Sequence, residues 1–314
     1  MKYSDSFGKL SSKILLGTAY FGETISEEES FKIMDTYYEM GGRHIDTARL
    51  YAEGESEKVI GRWLKERKYE DIFLSTKGGF QRTADLPVSR LSEGELRSDL
   101  EKSLNALDIP EIEFYWLHRD DERLTVGEII DTMNAFLSEG KIKKFGASNW
   151  KTERIEEANR YAKEKGLMGF SASQIRFSPA IVAPGGNADR TLVDMDKESF
   201  YYYADKKMPV AAYASQGKGF FSKMAAMGEA GLSEKSKERY LCEENLKRLE
   251  KITKLSEKHK VSIASIVCAV LCSAKSVDVF PIIGGSRAEQ IKDSLSGADI
   301  LIDAAEVMDI LGFC

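Results

Sequence analysis

Apolar positions in this chain fall in short runs that alternate with longer helical patterns. Eight runs stand out, at 13–17, 44–46, 72–76, 112–117, 144–147, 171–174, 210–213 and 279–283. Each is too short and too uniformly apolar or small for a solvent-facing antiparallel strand. Such runs fit strands buried on both faces. Between them the period becomes helical, and several segments carry start signals: Ser26 with Glu29, Ser92 with Glu95 and Thr125 with Glu128 each match a capping box. The helix over about 26–40 is expected to end at Gly41-Gly42, and 243–275 reads as two helices broken near Lys260.

Repeated strand–helix alternation implies parallel pairing through right-handed crossovers. Eight units close naturally into a (β/α)8 TIM barrel, an α/β fold whose functional groups sit at the C-terminal ends of the strands. The competing architecture is an open doubly wound sheet, but no G-x-G-x-x-G follows the first strand, which counts against its dinucleotide-binding version. Two stretches, 178–195 and 216–236, break the rhythm as long connections after the sixth and seventh strands. Long loops in a compact domain are usually functional or mobile. With no repeat and no linker, residues 1–314 read as a single domain.

Composition narrows the class. Hydrophobic residues make up 42% and charged residues 31%, a globular balance. A net charge of -6 argues against nucleic acid, which needs a basic face. The N-terminus lacks the apolar core of a signal peptide, and no apolar run reaches membrane-spanning length. Cys242, Cys268, Cys272 and Cys314 form no CxxC pair; Cys268 and Cys272 lie in an apolar helical run, as buried thiols would. The expectation is a reduced, cytoplasmic chain. His44, His118 and His259 show no local spacing pattern, so no metal site is expected.

The residues that follow the strands carry the chemistry. Strand two ends at Asp46, strand three leads into Lys77 and strand four into His118. Strand five leads into Ser148-Asn149, strand six ends at Gln174, strand seven at Tyr213, and strand eight leads into Gly284-Gly285-Ser286-Arg287. Taken singly, Asp46 could be a helix N-cap, Lys77 a surface lysine and His118 a core histidine. Jointly they lie after three consecutive strands, and Tyr51 is five residues past Asp46, so the four can converge. A free tyrosine hydroxyl titrates near pH 10; a neighbouring ammonium favours its ionised form, and an aspartate keeps that ammonium charged. A histidine nearby can orient a carbonyl oxygen. The set supplies an acid for an alkoxide forming on a substrate. No side chain here supplies a hydride, so a nicotinamide must.

At these residues the chain resembles the aldo-keto reductase family, from Leu16-Gly17-Thr18 to Pro281-Ile282-Ile283-Gly284. GGRHIDTARLYAEGESEKVIG carries Asp46, Tyr51 and Ser56-Glu57 of the strand-two signature. FLSTKGGF carries Lys77 and FYWLHRDD carries His118. GKIKKFGASNW is similar to the segment preceding the carboxamide-binding Ser-Asn pair. The resemblance implies that Tyr51 donates the proton, Lys77 and Asp46 tune it, and His118 orients the carbonyl. It implies that Ser148, Asn149 and Gln174 hold the nicotinamide carboxamide and that Tyr213 stacks on the ring. Gly17, Thr18, Asp46 and Gly217 are further expected cofactor contacts. The stretch from Gly284 and Gly285 through Ser286 and Arg287 to Gln290 takes the adenosine phosphate, partly at the start of the last helix. Arg287 favours NADP(H), because a guanidinium suits a 2′-phosphate; NAD(H) is the alternative.

The chain also departs from that pattern. Ala214-Ser215-Gln216-Gly217 stands where Ser-Pro-Leu-Gly is frequent, and Ser294 where an asparagine is frequent. His118 is followed by Arg119-Asp120-Asp121. Arg119 could contact a charged or hydroxylated substrate, or form a rim salt bridge, and with the two aspartates it is the motive for expecting a polar, sugar-like carbonyl. Tyr20, Tyr51, His118, Arg119 and Trp150 are the substrate-facing candidates, with Phe21 and Phe80 as further walls. Partners are expected to be a small carbonyl or alcohol and, at most, further copies of the chain in a homo-oligomer. A slow, NADP-binding redox-sensing subunit and a Schiff-base aldolase using Lys77 are the competing functions. Imine chemistry needs a neutral amine, which an aspartate beside Lys77 opposes.

Overall fold

A computed structural model describes residues 1–82, 87–186 and 189–313; Cys314 lies outside the described residues. The eight strand runs form β1 (Leu15–Gly17), β2 (His44–Asp46), β3 (Phe73–Gly78), β4 (Phe114–Leu117), β5 (Phe145–Ser148), β6 (Ser173–Arg176), β7 (Val210–Tyr213) and β8 (Val279–Ile283). They close in sequence order into one parallel barrel, with β8 paired to β1 through Ile282↔Leu15 and Ile283↔Leu16. This is the (β/α)8 architecture the periodicity implies.

Side chains alternate in and out of the barrel because successive strand residues point to opposite faces. Outward-facing Leu16, Ile45, Leu74, Leu117, Ile175 and Val210 are buried under the helices. The inward set is layered. Leu15, Phe73, Phe114, Trp116, Ala211 and Phe280 fill the lower interior, while Asp46, Ser75, Lys77 and Gln174 occupy the layer towards the C-terminal mouth. Apolar packing below and titratable groups above is how the fold sets its chemistry at one rim.

The lower end is closed by a feature the sequence pattern does not signal. A two-residue antiparallel hairpin, Tyr3–Ser4 with Ser11–Ser12, carries Phe7 into the barrel floor. The Phe7 ring centroid lies 4.7 Å from Phe280, 5.3 Å from Phe114 and 5.2 Å from His44. Ser12 Oγ accepts from Arg43 N at 2.9 Å, tying this plug to the entry of β2.

The outer helices include α1 (Glu27–Glu39), α2 (Glu55–Arg67), α3 (Glu93–Leu107), α4 (Val126–Ser138), α5 (Thr152–Lys165) and α6 (Lys197–Lys206). Two of the three expected capping boxes reach the backbone, one in full, where Thr125 and Glu128 cap each other, and one by half, where Ser26 accepts from Glu29 N without the reciprocal bond. The third does not. Ser92 Oγ donates to the Glu95 carboxylate at 2.7 Å, so its hydroxyl is spent on a side chain. The stretch 216–236 is not an irregular connection: glycines at 217, 219 and 228 punctuate α7 (Phe220–Met227) and α8 (Glu234–Tyr240). Helices α9 (Glu243–His259) and α10 (Ile263–Cys272) meet at Lys260, in the left-handed region as a C-cap (φ 55). Helices α11 (Ala288–Leu295) and α12 (Ala304–Leu311) end the chain. No helix among the described residues is long and apolar enough to cross a membrane.

Candidate active site

Lys77 lies inside β3 rather than just after it, wholly buried with its side chain in the barrel. Its ammonium donates to Asp46 Oδ2 at 2.5 Å and to the Thr47 carbonyl at 2.7 Å. A charge this deep persists only if it is paired and hydrogen-bonded. Burial works against the ammonium, but Asp46 and Tyr51 outweigh it and hold the Lys77 pKa above the ordinary lysine value. The same ammonium sits 5.0 Å from the Tyr51 ring centroid. His118 meets that ring edge-on, with centroids 6.1 Å apart. Asp46, Tyr51, Lys77 and His118 therefore meet at one point of the mouth.

The turn that delivers Tyr51 is unusual backbone. Ala52, Glu53 and Gly54 lie consecutively in the left-handed region, at φ 49, 55 and 95. The two non-glycine residues hold a conformation costing of order 1 kcal/mol each. Arg49 overrides that cost: its guanidinium donates to the Glu53 carbonyl at 2.9 Å and to the buried Glu57 at 2.6 Å. Glu57 also accepts from Thr76 at 2.7 Å, beside Lys77 in β3. Ser56 donates to the Thr18 carbonyl at 2.8 Å, and Thr18 N donates to Asp46 O at 3.2 Å. Ser56 and Glu57 thus bind the Tyr51 turn to β3 and to the loop after β1.

The other expected site residues share the rim. Asn149 has φ 59; its Nδ2 donates to Ser148 Oγ at 3.1 Å, and its Oδ1 accepts from Tyr213 OH at 2.6 Å and Val193 N at 3.2 Å. Burial pushes the Tyr213 hydroxyl pKa up, so it stays a donor. Gln174 Nε2 donates to Asp46 Oδ1 at 3.0 Å, which joins an expected cofactor contact to the tetrad. Gly17 carries β1 against β8: a Cβ there would come within 2.8 Å of Ile282. At the end of β8, Gln290 Oε1 accepts from Ser286 N at 2.7 Å beside Gly284 and Gly285. Arg287 is exposed; its backbone carbonyl accepts from Gln290 N at 3.2 Å, and its guanidinium has no hydrogen bond or ion pair among the described residues.

After β7, Ala214, Gly217, Lys218 and Gly219 all have positive φ. Ser215 Oγ donates to Ile282 O at 2.7 Å, and Gln216 Nε2 donates to Ser294 Oγ at 3.0 Å. Two of the positions that depart from the family pattern, Gln216 and Ser294, thus bond to each other.

Three expected pocket walls need correction or qualification. Trp150 is fully buried in the outer layer, its ring 4.9 Å from Phe170, because the left-handed Asn149 turns the chain away from the mouth. Phe21 is likewise buried, in the outer cluster with Ile25. Tyr20 is 51% exposed on the rim. Phe80 does face the tetrad, 5.2 Å from the His118 ring. Arg119 lies over Phe80 at 4.7 Å, donates to Thr191 Oγ1 at 3.0 Å and sits 3.8 Å from Asp189, so its observed role is to fasten the 189–195 strap to the end of β4. Asp120 pairs with Arg154 and Asp121 with Arg123, so the acidic motive for a polar substrate is spent on salt bridges.

The residues that sequence reasoning passed over are Ser75, Thr47 and His44. Ser75 Oγ donates to Asp46 Oδ1 at 2.9 Å and lies 3.0 Å from His44 Nε2. Its position two residues before Lys77, on the same strand face, was the available signal. No cluster able to hold a metal ion occurs among the described residues.

A model of the aldo/keto reductase family matches residues 13–312. The chain belongs to the aldo/keto reductase family. Among its relatives, an aryl-alcohol dehydrogenase of Pestalotiopsis microspora is 27% identical over 292 residues, covering 91% of this chain and 72% of that protein. The norsolorinic acid reductase of Aspergillus flavus is 26% identical over 322 residues, covering 98% of this chain and 79% of that one. A crystal structure described as a 2,5-diketo-D-gluconic acid reductase B shares the fold with a TM-score of 0.72 at 18% identity, over 100% of this chain and 91% of that one. With this membership the aldo-keto reductase chemistry is the oxidoreduction of a carbonyl–alcohol pair.

Proposed function

We propose that this chain is a cytoplasmic, single-domain (residues 1–314) aldo-keto reductase that reduces an aldehyde or ketone with NADPH, Tyr51 giving the proton. The observation that carries the reading is the buried Lys77 ammonium, clamped on Asp46 at 2.5 Å and 5.0 Å from the Tyr51 ring, with His118 edge-on to that ring.

The residues present suit a dinucleotide. Arg287 is a cation without a protein partner among the described residues, beside two glycines and the start of α11. A Cβ at Gly217 would come within 2.8 Å of Ala180, so the loop after β7 is shaped around a bare backbone. When bound, the nicotinamide supplies the hydride. The chain does the rest. His118 orients the carbonyl oxygen towards Tyr51, and the Tyr51 hydroxyl protonates the alkoxide. The Lys77 charge stabilises the phenolate that remains, and Asp46 keeps Lys77 charged. In the oxidation direction the phenolate accepts the proton of the alcohol. A charged, carboxylate-bound Lys77 is also what an imine-forming aldolase would avoid.

The relatives act, by name, on aryl alcohols and on norsolorinic acid, which favours aromatic aldehydes and ketones over the sugar-like carbonyls suggested by Arg119 and its acidic neighbours. The Phe80 ring beside His118 supports the same choice. The test is NADPH-dependent reduction of benzaldehyde-type substrates by wild type and Tyr51→Phe, with NADPH affinity measured on both. Tyr51→Phe should bind NADPH within a few fold and lose about 10²-fold or more in kcat, the scale of a lost general acid. Near-normal turnover would remove Tyr51 from the acid role.

A further inference from the structure

Three donors converge on the buried Asp46 carboxylate. Oδ2 accepts from Lys77; Oδ1 accepts from Ser75 Oγ at 2.9 Å and Gln174 Nε2 at 3.0 Å. Ser75 has one hydroxyl proton, and an ionised carboxylate can only accept, so that proton is committed to Asp46. The ring nitrogen 3.0 Å from Ser75 Oγ, His44 Nε2, must then be the donor of the second bond. This assigns His44 as a neutral imidazole protonated on Nε2. It leaves Nδ1 as a bare lone pair, and His44 Nδ1 is indeed buried without a partner. Burial, with the Lys77 charge adding, holds the His44 pKa well below the ordinary histidine value, in keeping with the neutral form.

The arrangement is rigid. His44 is fully buried between Phe7, edge-on at 5.2 Å, and Phe73 at 4.3 Å. Ser75 pairs with Asp46 in register across β2 and β3. We infer that Ser75 and His44 are positioning residues: they hold Asp46 with Oδ2 on Lys77, and through that pair set how much positive charge reaches Tyr51. The inference rests on the reading of Tyr51 as proton donor. Without the Ser75 donor, Asp46 carries more uncompensated negative charge and neutralises Lys77 more fully. The Tyr51 phenolate then loses stabilisation. Among the described residues, the titratable groups around Tyr51 are Lys77 from β3, Asp46 from β2, His118 just after β4 and Tyr213 from β7; Ser75 touches only Asp46 among them.

The experiment is the pH dependence of kcat/KM for alcohol oxidation with NADP+, for Ser75→Ala and Ser75→Thr beside wild type and Tyr51→Phe. In Ser75→Ala the acidic limb should move up by about one pH unit, so that activity below it falls roughly tenfold, the scale of one hydrogen bond to a charged group. NADP+ affinity should stay within about threefold, and Ser75→Thr, which keeps the hydroxyl, should restore the limb. His44→Leu should shift the limb the same way, and His44→Gln, which can still donate to Ser75, should not; this pair carries the test if Ser75→Ala does not fold. A loss uniform across pH with the limb unmoved overturns the inference. If Tyr51→Phe turns over normally, the underlying proton-donor reading fails instead; if it is inactive while the Ser75→Ala limb is unmoved, only the positioning role fails.

Discussion

Gln216 Nε2 donates to Ser294 Oγ across 3.0 Å, joining the loop after β7 to α11. Ser294 Oγ in turn donates to the Gln290 backbone carbonyl at 2.9 Å, and Gln290 Oε1 accepts from Ser286 N at 2.7 Å. The two ends of the proposed dinucleotide cleft are thus coupled by side chains. Gln216→Ala and Ser294→Ala should each weaken NADPH binding by about 2–10-fold, the worth of a partly buried hydrogen bond. The double variant should be no worse than the worse single one. A double variant whose fold-loss is the product of the two single fold-losses would contradict the coupling.

Arg287 offers an unpaired guanidinium at the start of α11. Arg287→Ala should lower kcat/KM for NADPH by roughly 10–100-fold, as loss of a charge-assisted pair to phosphate would, and leave NADH nearly unchanged. Steady-state kinetics with both nucleotides decide it. Equal values in both proteins would remove Arg287 from cofactor choice.

His44 also makes stability depend on pH. Its pKa is depressed in the folded chain, so below the unfolded value of about 6.5 the unfolded chain binds a proton that the folded chain refuses. That contribution is present above about pH 6.5 and lost as pH falls towards the folded value, at up to about 1.4 kcal/mol per pH unit. Denaturant unfolding at pH 7.5, 6.5 and 5.5 should therefore show a steeper decline in wild type than in His44→Gln. Parallel declines would mean that His44 is protonated in the folded state.

Much of the fold and of the tetrad is legible in the sequence. The change from short apolar runs to helical periodicity fixes the barrel, because strands under helices must be apolar on both faces. The tetrad follows from what stands after those runs. The errors have physical causes. Lys77 reads as the residue after a strand because a buried ammonium breaks an apolar run, yet its pairing with Asp46 lets β3 continue to Gly78. Trp150 reads as a pocket wall because it follows Asn149, and only the positive φ at Asn149 sends it outward. Ser75 hides as a small residue in a buried strand. The Phe7 plug hangs on two-residue strands, too short for any period. The acidic residues after Arg119 read as substrate contacts, but Asp120 is taken by Arg154 of α5, a pairing invisible in sequence, and Asp121 by Arg123 in the adjoining turn.

Lys77 acts as a fixed charge beside Tyr51. Lys77→Met keeps the bulk and removes the charge. The measurement is kcat/KM for aryl-alcohol oxidation from pH 6 to 10 with NADP+ in both proteins. In Lys77→Met the acidic limb should move to higher pH, with activity near neutrality lost, because the phenolate that accepts the alcohol proton has lost its neighbouring cation. An unshifted limb in Lys77→Met would contradict that role.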